Sequence, residues 1–180
     1  MLILIGPSAS GKTEVARLLA KKYQLKKVIT YTTRKKRNNE INKIDYNFIT
    51  LEEFSSLNEQ DFFAETTYYN ANFYGTAKKD ISDNRCIILD PNGFKKFSSL
   101  KDERIISFFL SCSEDVRFKR MVSRNDKLED INKRLINDKI AFSDNNIQGV
   151  TFVVDSDTLS IEQLTDKIYN MYTNMLSSLR

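Results

Sequence analysis

The chain has 180 residues, 41% hydrophobic and 29% charged, which is enough for one domain with an apolar core. The net charge of +4 suits small anionic ligands as well as nucleic acid, so it selects no partner. No segment reaches the roughly 20 apolar residues that a membrane-spanning helix needs, and Met1–Ile5 is too short for a signal peptide. With no histidine and two distant cysteines, Cys86 and Cys112, we expect no zinc site and no disulfide, and a location in the reducing cytoplasm.

The first elements of the chain are an apolar strand and a helix. Leu2–Ile5 is a continuous apolar run, typical of a parallel strand buried on both faces. The segment from Lys12 to about Tyr23 has helical spacing of its apolar residues. Because similar strands and helices alternate further along, the sequence predicts an α/β fold with a mainly parallel sheet of about five strands, flanked by helices.

A phosphate-binding loop lies between this strand and helix. It matches G-x-x-x-x-G-K-[ST] in full, and a chance match in such a chain has a probability on the order of one in a hundred. We expect Lys12 to reach the β and γ phosphates of a nucleotide and the Thr13 hydroxyl to bind Mg²⁺. The alternative is a glycine-rich turn without a ligand, which the complete motif disfavours. The loop alone leaves GTPases, ATPases, helicases and small-molecule kinases open. The residues predicted to bind the nucleoside triphosphate are Gly6, Pro7, Ser8, Ala9, Ser10, Gly11, Lys12 and Thr13.

Residues 30–84 differ in composition from the rest of the chain. Asp45–Thr50 reads as a strand, Thr50–Glu53 caps a short helix, and Asp61–Tyr69 is rich in aromatic residues and threonine, as β structure is. We therefore predict a small, mixed α+β insertion on the core. Such a composition suits a cover over a planar ligand and an ordinary exposed β-ribbon equally well.

A compact cationic site follows the start of this insertion. Arg34 and Arg37 are three residues apart, with Lys35 and Lys36 between them. Guanidinium groups suit a phosphate monoester, because each can bind two of its oxygens. A solvated basic loop is the alternative.

The second half of the chain returns to the α/β pattern. Buried strands are predicted at Cys86–Leu89, Ile105–Leu110 and Thr151–Val154. Ser160–Gln163 forms a capping box before a C-terminal amphipathic helix. The apolar stripe of that helix, expected to lie in the core, consists of Ile161, Leu164, Ile168, Met171 and Met175.

Several motifs follow one another along the chain: T-T-R-x-x-R, which ends at Arg37, a following Glu40 and D-Y-x-F over residues 45–48, then Phe63-Ala-Glu65 and residues 72–76, N-F-Y-G-T. In these motifs, and over nearly its whole length, the sequence resembles guanylate kinase. Asn39 stands where the family has glycine. The resemblance implies a single domain over 1–180, with a core at 1–29, 85–116 and 135–180, a GMP-binding insertion at 30–84 and a helical lid at 117–134.

The resemblance also implies roles for individual residues. Glu65 would accept hydrogen bonds from the N1–H and 2-amino groups of guanine, and Thr76, with Thr30, would contact its O6. The GMP-binding residues implied in total are Thr30, Arg34, Arg37, Tyr46, Glu65, Tyr74, Thr76 and Asp90. Asp90 and Thr13 would also bind the metal ion. The implied catalytic residues are Lys12, Arg34 and the lid arginines Arg120, Arg124 and Arg134.

The sequence departs from the family pattern at three places. Ile88 stands at the first aspartate of the family's D-x-D-x-x-G run, so only Asp90 remains there. Val122 replaces a lid arginine, and Asp155–Asp157 replaces an N-D pair near the adenine pocket.

The function expected from the resemblance is ATP-dependent, Mg²⁺-assisted phosphorylation of GMP, and of dGMP. We expect no nucleic-acid or membrane partner, and a monomer or a homodimer. Two alternatives stay open: a related P-loop kinase that acts on a phosphorylated sugar, and a guanylate-kinase-like binding module with weak catalysis.

Overall fold

A computed structural model of the chain describes residues 1–36, 40–69 and 71–179. The strands in this part of the chain are β1 (Leu2–Ile5), β2 (Lys26–Lys27), β3 (Tyr31–Thr32), β4 (Asn47–Phe48), β5 (Phe63–Tyr69), β6 (Asn72–Ala77), β7 (Arg85–Ile88), β8 (Ile106–Ser111) and β9 (Phe152–Asp155). The helices are α1 (Lys12–Tyr23), α2 (Leu51–Glu59), α3 (Pro91–Ser99), α4 (Glu114–Ser123), α5 (Leu128–Ala141) and α6 (Ile161–Ser178).

Five of the strands form a parallel sheet in the order β2-β7-β1-β8-β9, which confirms the predicted fold class. The central strand β1 is fully buried on both faces, as its unbroken apolar run predicts. The predicted bounds of β7, β8 and β9 are each wrong by one residue. The shift in β7 has a clear cause: the Leu89 N–H still donates to the Leu4 carbonyl, but the next residue, Asp90, is the N-cap of helix α3.

Helices cover both faces of this sheet. One face packs on α1 and α6, and the other packs on Phe94 and Phe97 of α3. In α6 the prediction of a core stripe is confirmed for Leu164 and Ile168, which are completely buried. Its other three members, Ile161, Met171 and Met175, are half-buried. Tyr172 takes a central place instead, and its hydroxyl donates to the Asp83 carbonyl at 2.9 Å.

The remaining strands form a second sheet in the order β4-β3-β6-β5, with β6 antiparallel to both neighbours. The predicted strand at Asp45–Thr50 is reduced to the two residues of β4. Thr50 instead caps α2 in a reciprocal box with Glu53, and the Asp45 carboxylate accepts the Ile41 N–H. Hydrogen bonds from backbone N–H groups to nearby side chains therefore replace strand pairing at both ends of that segment.

The helices α4 and α5 form a pair beside the phosphate loop. The two helices are separated by a short break, in which Asn125 adopts a left-handed backbone with φ of +60°. Met121, Ile131 and Leu135 pack together between the two helices, against Ala9. No helix within residues 1–36, 40–69 and 71–179 is long and apolar enough to cross a membrane.

Candidate active site

The phosphate loop joins the centre of the parallel sheet to α1. Gly6 has φ of +150°, and a Cβ there would lie 2.7 Å from the Leu110 carbonyl oxygen, so only glycine fits. Ala9 and Gly11 also have positive φ, at +61° and +100°. Such a backbone turns successive N–H groups toward one concave side, which makes an anion-binding loop. The α1 N-terminus adds its positive dipole end at the same place.

Lys12 is folded into this loop. Its Nζ donates to the carbonyl oxygens of Gly6 at 2.6 Å and of Pro7 at 2.7 Å. Burial lowers the pKa of Lys12 to about 8, and the charge of Asp138 partly opposes that shift. An arriving phosphate would therefore meet an ammonium group that is held in place but has little compensating negative charge.

Two of the three predicted lid arginines lie at the loop. Arg124 lines a groove of about 220 Å³ together with Ala9, Gly11, Lys12, Thr13 and Glu14. Arg120 donates to the Ala9 carbonyl at 3.1 Å and to the Ser156 carbonyl at 2.7 Å. Arg134 is half-exposed and forms an ion pair with Asp126 at 2.9 Å, outside the cavities described below.

A second cavity of about 310 Å³ opens between the two sheets, near the lower end of the range of about 300–1,000 Å³ typical of small-molecule sites. It contains six of the eight residues predicted to bind GMP. Its lining is Thr30, Tyr46, Glu65, Thr67, Tyr74, Thr76, Ile88, Leu89, Asp90 and Gly93.

Glu65 is the carboxylate of this cavity. It lies opposite Thr76 across the β5–β6 pair, after an irregularity in register at Phe63. Its Oε1 accepts the Thr76 hydroxyl at 2.9 Å, and its Oε2 accepts the Thr67 hydroxyl at 3.3 Å. Burial raises the pKa of Glu65, although these two hydrogen bonds oppose the shift. An adjacent pair of hydrogen-bond donors on a planar ligand would satisfy such a carboxylate.

Arg34 lies beside this cavity without lining it. Its Nη2 donates to Glu40 Oε1 at 2.6 Å, and its guanidinium lies over the rings of Tyr46 and Phe48, at 5.3 and 5.6 Å from their centroids. Tyr46 connects it to the cavity wall, where the Tyr74 ring is 6.1 Å away. Arg37, the predicted partner of Arg34, falls outside the described residues.

A third cavity, of about 560 Å³, connects the loop to the acceptor side. Its lining includes Gly6, Ser8 and Lys12 of the loop region together with Ile88–Asp90. The same three residues, Ile88, Leu89 and Asp90, form a wall of the 310 Å³ cavity. The loop and the Glu65 cavity therefore open into a single cleft.

Asp90 has a structural role in addition to its place in both cavities. Its Oδ1 accepts the Gly93 N–H at 2.7 Å and caps α3, so one oxygen is already committed. Within the described residues there is no group of three or more His, Cys, Asp or Glu side chains that could hold a metal. Mg²⁺ in nucleotide sites keeps several waters and uses only one or two protein oxygens. Of the two predicted ligands, Asp90 lines the 310 and 560 Å³ cavities and Thr13 lines the 220 Å³ groove.

The structure adds two residues that the sequence did not single out as site residues. Arg117, grouped in the sequence with the other basic residues of α4, is almost fully buried and forms an ion pair with Asp138 of α5 at 2.8 Å. Asp138 also accepts the Ser8 N–H of the phosphate loop at 2.8 Å. The only signal in the sequence is the position of Arg117 four residues before the buried Met121, on the inner side of α4.

A phosphate loop that shares a cleft with a polar acceptor cavity defines the class of P-loop nucleotide kinases. Comparison with known proteins is more specific, since the family model for guanylate kinase matches residues 1–174. The guanylate kinase of Campylobacter jejuni (strain RM1221) is 35% identical over 147 residues, or 76% of this chain and 72% of that protein. The guanylate kinase of Anaplasma phagocytophilum (strain HZ) is 30% identical over 181 residues, covering 95% of this chain and 84% of that one.

The fold agrees with these matches. The crystal structure of guanylate kinase from Anaplasma phagocytophilum superposes with a TM-score of 0.69 at 25% identity, over 97% of this chain and 84% of that chain. The chain belongs to the guanylate kinase family.

Proposed function

We propose that this chain transfers the γ-phosphoryl group of ATP to GMP in the cleft between the phosphate loop and the Glu65 cavity. The observation that carries the proposal is that Ile88–Asp90 line both the cavity at the phosphate loop and the Glu65 cavity, which supports the binding of two nucleotides side by side. Membership of the guanylate kinase family supports the same reaction.

ATP would bind with its phosphates on the N–H groups of Gly6–Thr13 and on the Lys12 ammonium. Mg²⁺, held by the Thr13 hydroxyl and the uncommitted oxygen of Asp90, would supply positive charge to the phosphates when bound. Arg120 and Arg124 already lie beside the loop, where they would balance the charge that spreads over the transferring group. Arg134 would join them only if its ion pair with Asp126 opens.

GMP would bind with its base against Glu65, because guanine presents N1–H and 2-amino donors side by side and adenine does not. Thr76 and Thr30 would bind O6. The phosphate of GMP would lie toward Arg34, Arg37, Tyr46 and Tyr74. Glu40 holds Arg34 in a defined orientation, so the arginine loses little side-chain freedom when the phosphate arrives.

The transfer step needs alignment more than a strong base. A phosphate monoester is already mostly ionised near neutral pH, so its oxygen can attack in line without a general base. Closing the cleft would also exclude water, which is the competing acceptor.

We further propose dGMP as a second acceptor, a cytoplasmic location, and a monomer or homodimer without nucleic-acid or membrane partners. The domain division into core, GMP-binding insertion and lid is part of the same proposal. The arrangement of the second sheet and of the α4–α5 pair supports it.

An assay of ADP release over a panel of acceptors tests the proposal. With ATP and Mg²⁺, we expect turnover with GMP and dGMP, and little with AMP, UMP or phosphorylated pentoses. Preferential use of a sugar phosphate would instead support the related P-loop kinase. Binding of GMP without any ADP release would support the binding module.

A further inference from the structure

The contact between Asp138 and the phosphate loop is the feature that the proposed reaction does not explain. One carboxylate oxygen, Oδ2, accepts both the Ser8 N–H and Arg117 Nη1, each at 2.8 Å. Asp138 belongs to α5, whereas Ser8 lies in the loop after β1, so the contact connects elements 130 residues apart. The Asp138 carboxylate thus accepts a hydrogen bond from one of the loop N–H groups that are suited to binding phosphate.

The position of the contact within the cleft suggests which phosphate it concerns. Ser8, Lys12 and Asp138 all line the 560 Å³ cavity that leads to the acceptor side. The groove with Thr13 and Arg124 is a separate one that contains neither Ser8 nor Asp138. The Asp138 carboxylate is therefore on the acceptor-facing side of the loop, where the last phosphate of a triphosphate must point if it is to be transferred.

The strength of this contact depends on the buried charges around Asp138. The side chains of Arg117 and Asp138 are only 7% and 12% exposed, so their interaction is weakly screened. Within the described residues, Arg117 Nε is buried without a hydrogen-bond partner, so the guanidinium has an unused donor. If the carboxylate moves away, the buried cation needs another anion, because an unpaired buried charge is costly.

We infer that Asp138 is a positioning residue that occupies the acceptor-facing end of the phosphate loop until the γ-phosphate of ATP displaces it. The arriving phosphate takes over the Ser8 N–H and becomes the new counter-charge of Arg117. ADP has no phosphate at this position and leaves the contact in place. The contact therefore weakens ATP binding relative to ADP binding and links α5 to the presence of the γ-phosphate.

The variant Asp138→Asn tests this inference, because it removes the charge and keeps the shape and an acceptor oxygen. The probes are ADP and a non-hydrolysable ATP analogue with a β,γ-imido bridge, each titrated by calorimetry in Mg²⁺ at a pH well below 8. Lys12 then stays charged in the variant, although the charge of Asp138 no longer raises its pKa. We expect the Kd of the ATP analogue to fall roughly three- to thirtyfold, from the loss of one nearby like charge. The Kd of ADP should change by less than about twofold.

Asp130→Asn is the matched control, since it makes the same chemical change in the exposed first turn of the same helix. It should leave both constants as they are in the wild-type chain. An equal gain for both nucleotides, no change, or a loss of affinity for either would overturn the inference. A structural role alone would weaken both ligands together.

If Asp138→Asn does not fold, hydrogen exchange on the wild-type chain gives the answer. The ATP analogue should change the exchange of residues 128–141, and ADP should not. Equal changes with both nucleotides would refute the displacement.

The inference rests on the proposed use of ATP, and the two can fail separately. A wild-type chain that binds neither nucleotide would refute the proposed function. A chain that phosphorylates GMP while its Asp138→Asn variant keeps the wild-type ratio of ATP to ADP affinity would refute only the displacement.

Discussion

The proposed donor and acceptor ends of the cleft are built by different means. At the donor end, backbone N–H groups of one contiguous loop, Gly6–Thr13, would do most of the binding. At the acceptor end, side chains would do the binding, and they come from separate parts of the chain, such as Thr30, Glu65 on β5 and Asp90. Substitutions that alter the backbone of the loop should therefore damage the donor site. Substitutions of single side chains should damage the acceptor site.

Removing the one essential side chain of the donor end should have the largest effect. Lys12→Ala takes away the ammonium that meets the β and γ phosphates, and we expect turnover to fall at least about a thousandfold. The fold should persist, because the lysine contacts only loop carbonyls and one loop hydroxyl. Turnover by the coupled ADP assay and circular dichroism measure the two effects.

Lys21→Ala, an exposed substitution on the same helix, is the control and should keep wild-type turnover. A Lys12→Ala chain with full activity would contradict the assignment of the phosphate loop.

Changing the carboxylate of the acceptor end should have the next largest effect. Glu65→Gln replaces an acceptor oxygen by an amide donor that faces the donors of guanine, so KM for GMP should rise roughly a hundredfold. KM for ATP should stay within about twofold, because the loop is untouched.

Glu59→Gln makes the same change at an exposed position on α2 and should be neutral. Unchanged saturation by GMP in Glu65→Gln would exclude the guanine role of Glu65.

How far each end could be predicted from the sequence follows from the same difference. The phosphate loop and α1 were predicted at their bounds, because their conformation depends on neighbouring residues. Glu65 and Thr76 were found through the family resemblance, since only the register of β5 and β6 brings them together. The contact of Asp138 with Ser8 was missed, because it depends on how α5 packs against the loop.

A change of pH should affect KM for GMP and KM for ATP in opposite directions, with a smaller effect of up to about tenfold per pH unit. Burial raises the pKa of Glu65, and GMP needs the ionised form, so KM for GMP should rise as the pH falls through that raised pKa. Burial lowers the pKa of Lys12 to about 8, and ATP needs the charged form, so KM for ATP should rise above that pH.

Glu65 and Lys12 also affect how the free energy of unfolding depends on pH, in directions set by the same pKa shifts. A raised carboxylate pKa means that the native state binds protons more tightly, so Glu65 adds stability as the pH falls through its folded pKa. A lowered lysine pKa means the opposite, so Lys12 adds stability as the pH rises from about 8 toward 10.5.

Initial rates measured over a range of pH check the prediction for GMP. In the variant Glu65→Gln, the rise of KM for GMP at low pH should be absent. A rise that persists in this variant would belong to another group.

The wall formed by Ile88–Asp90 has a consequence for inhibitor chemistry. Since both cavities open on these three residues, one molecule that carries a guanosine at one end and a phosphate chain at the other could reach both Glu65 and the phosphate loop. Joining the guanosine to the phosphate chain would make the binding of the second half intramolecular, with an effective concentration in about the millimolar range. Such a compound should inhibit far more strongly than either half alone.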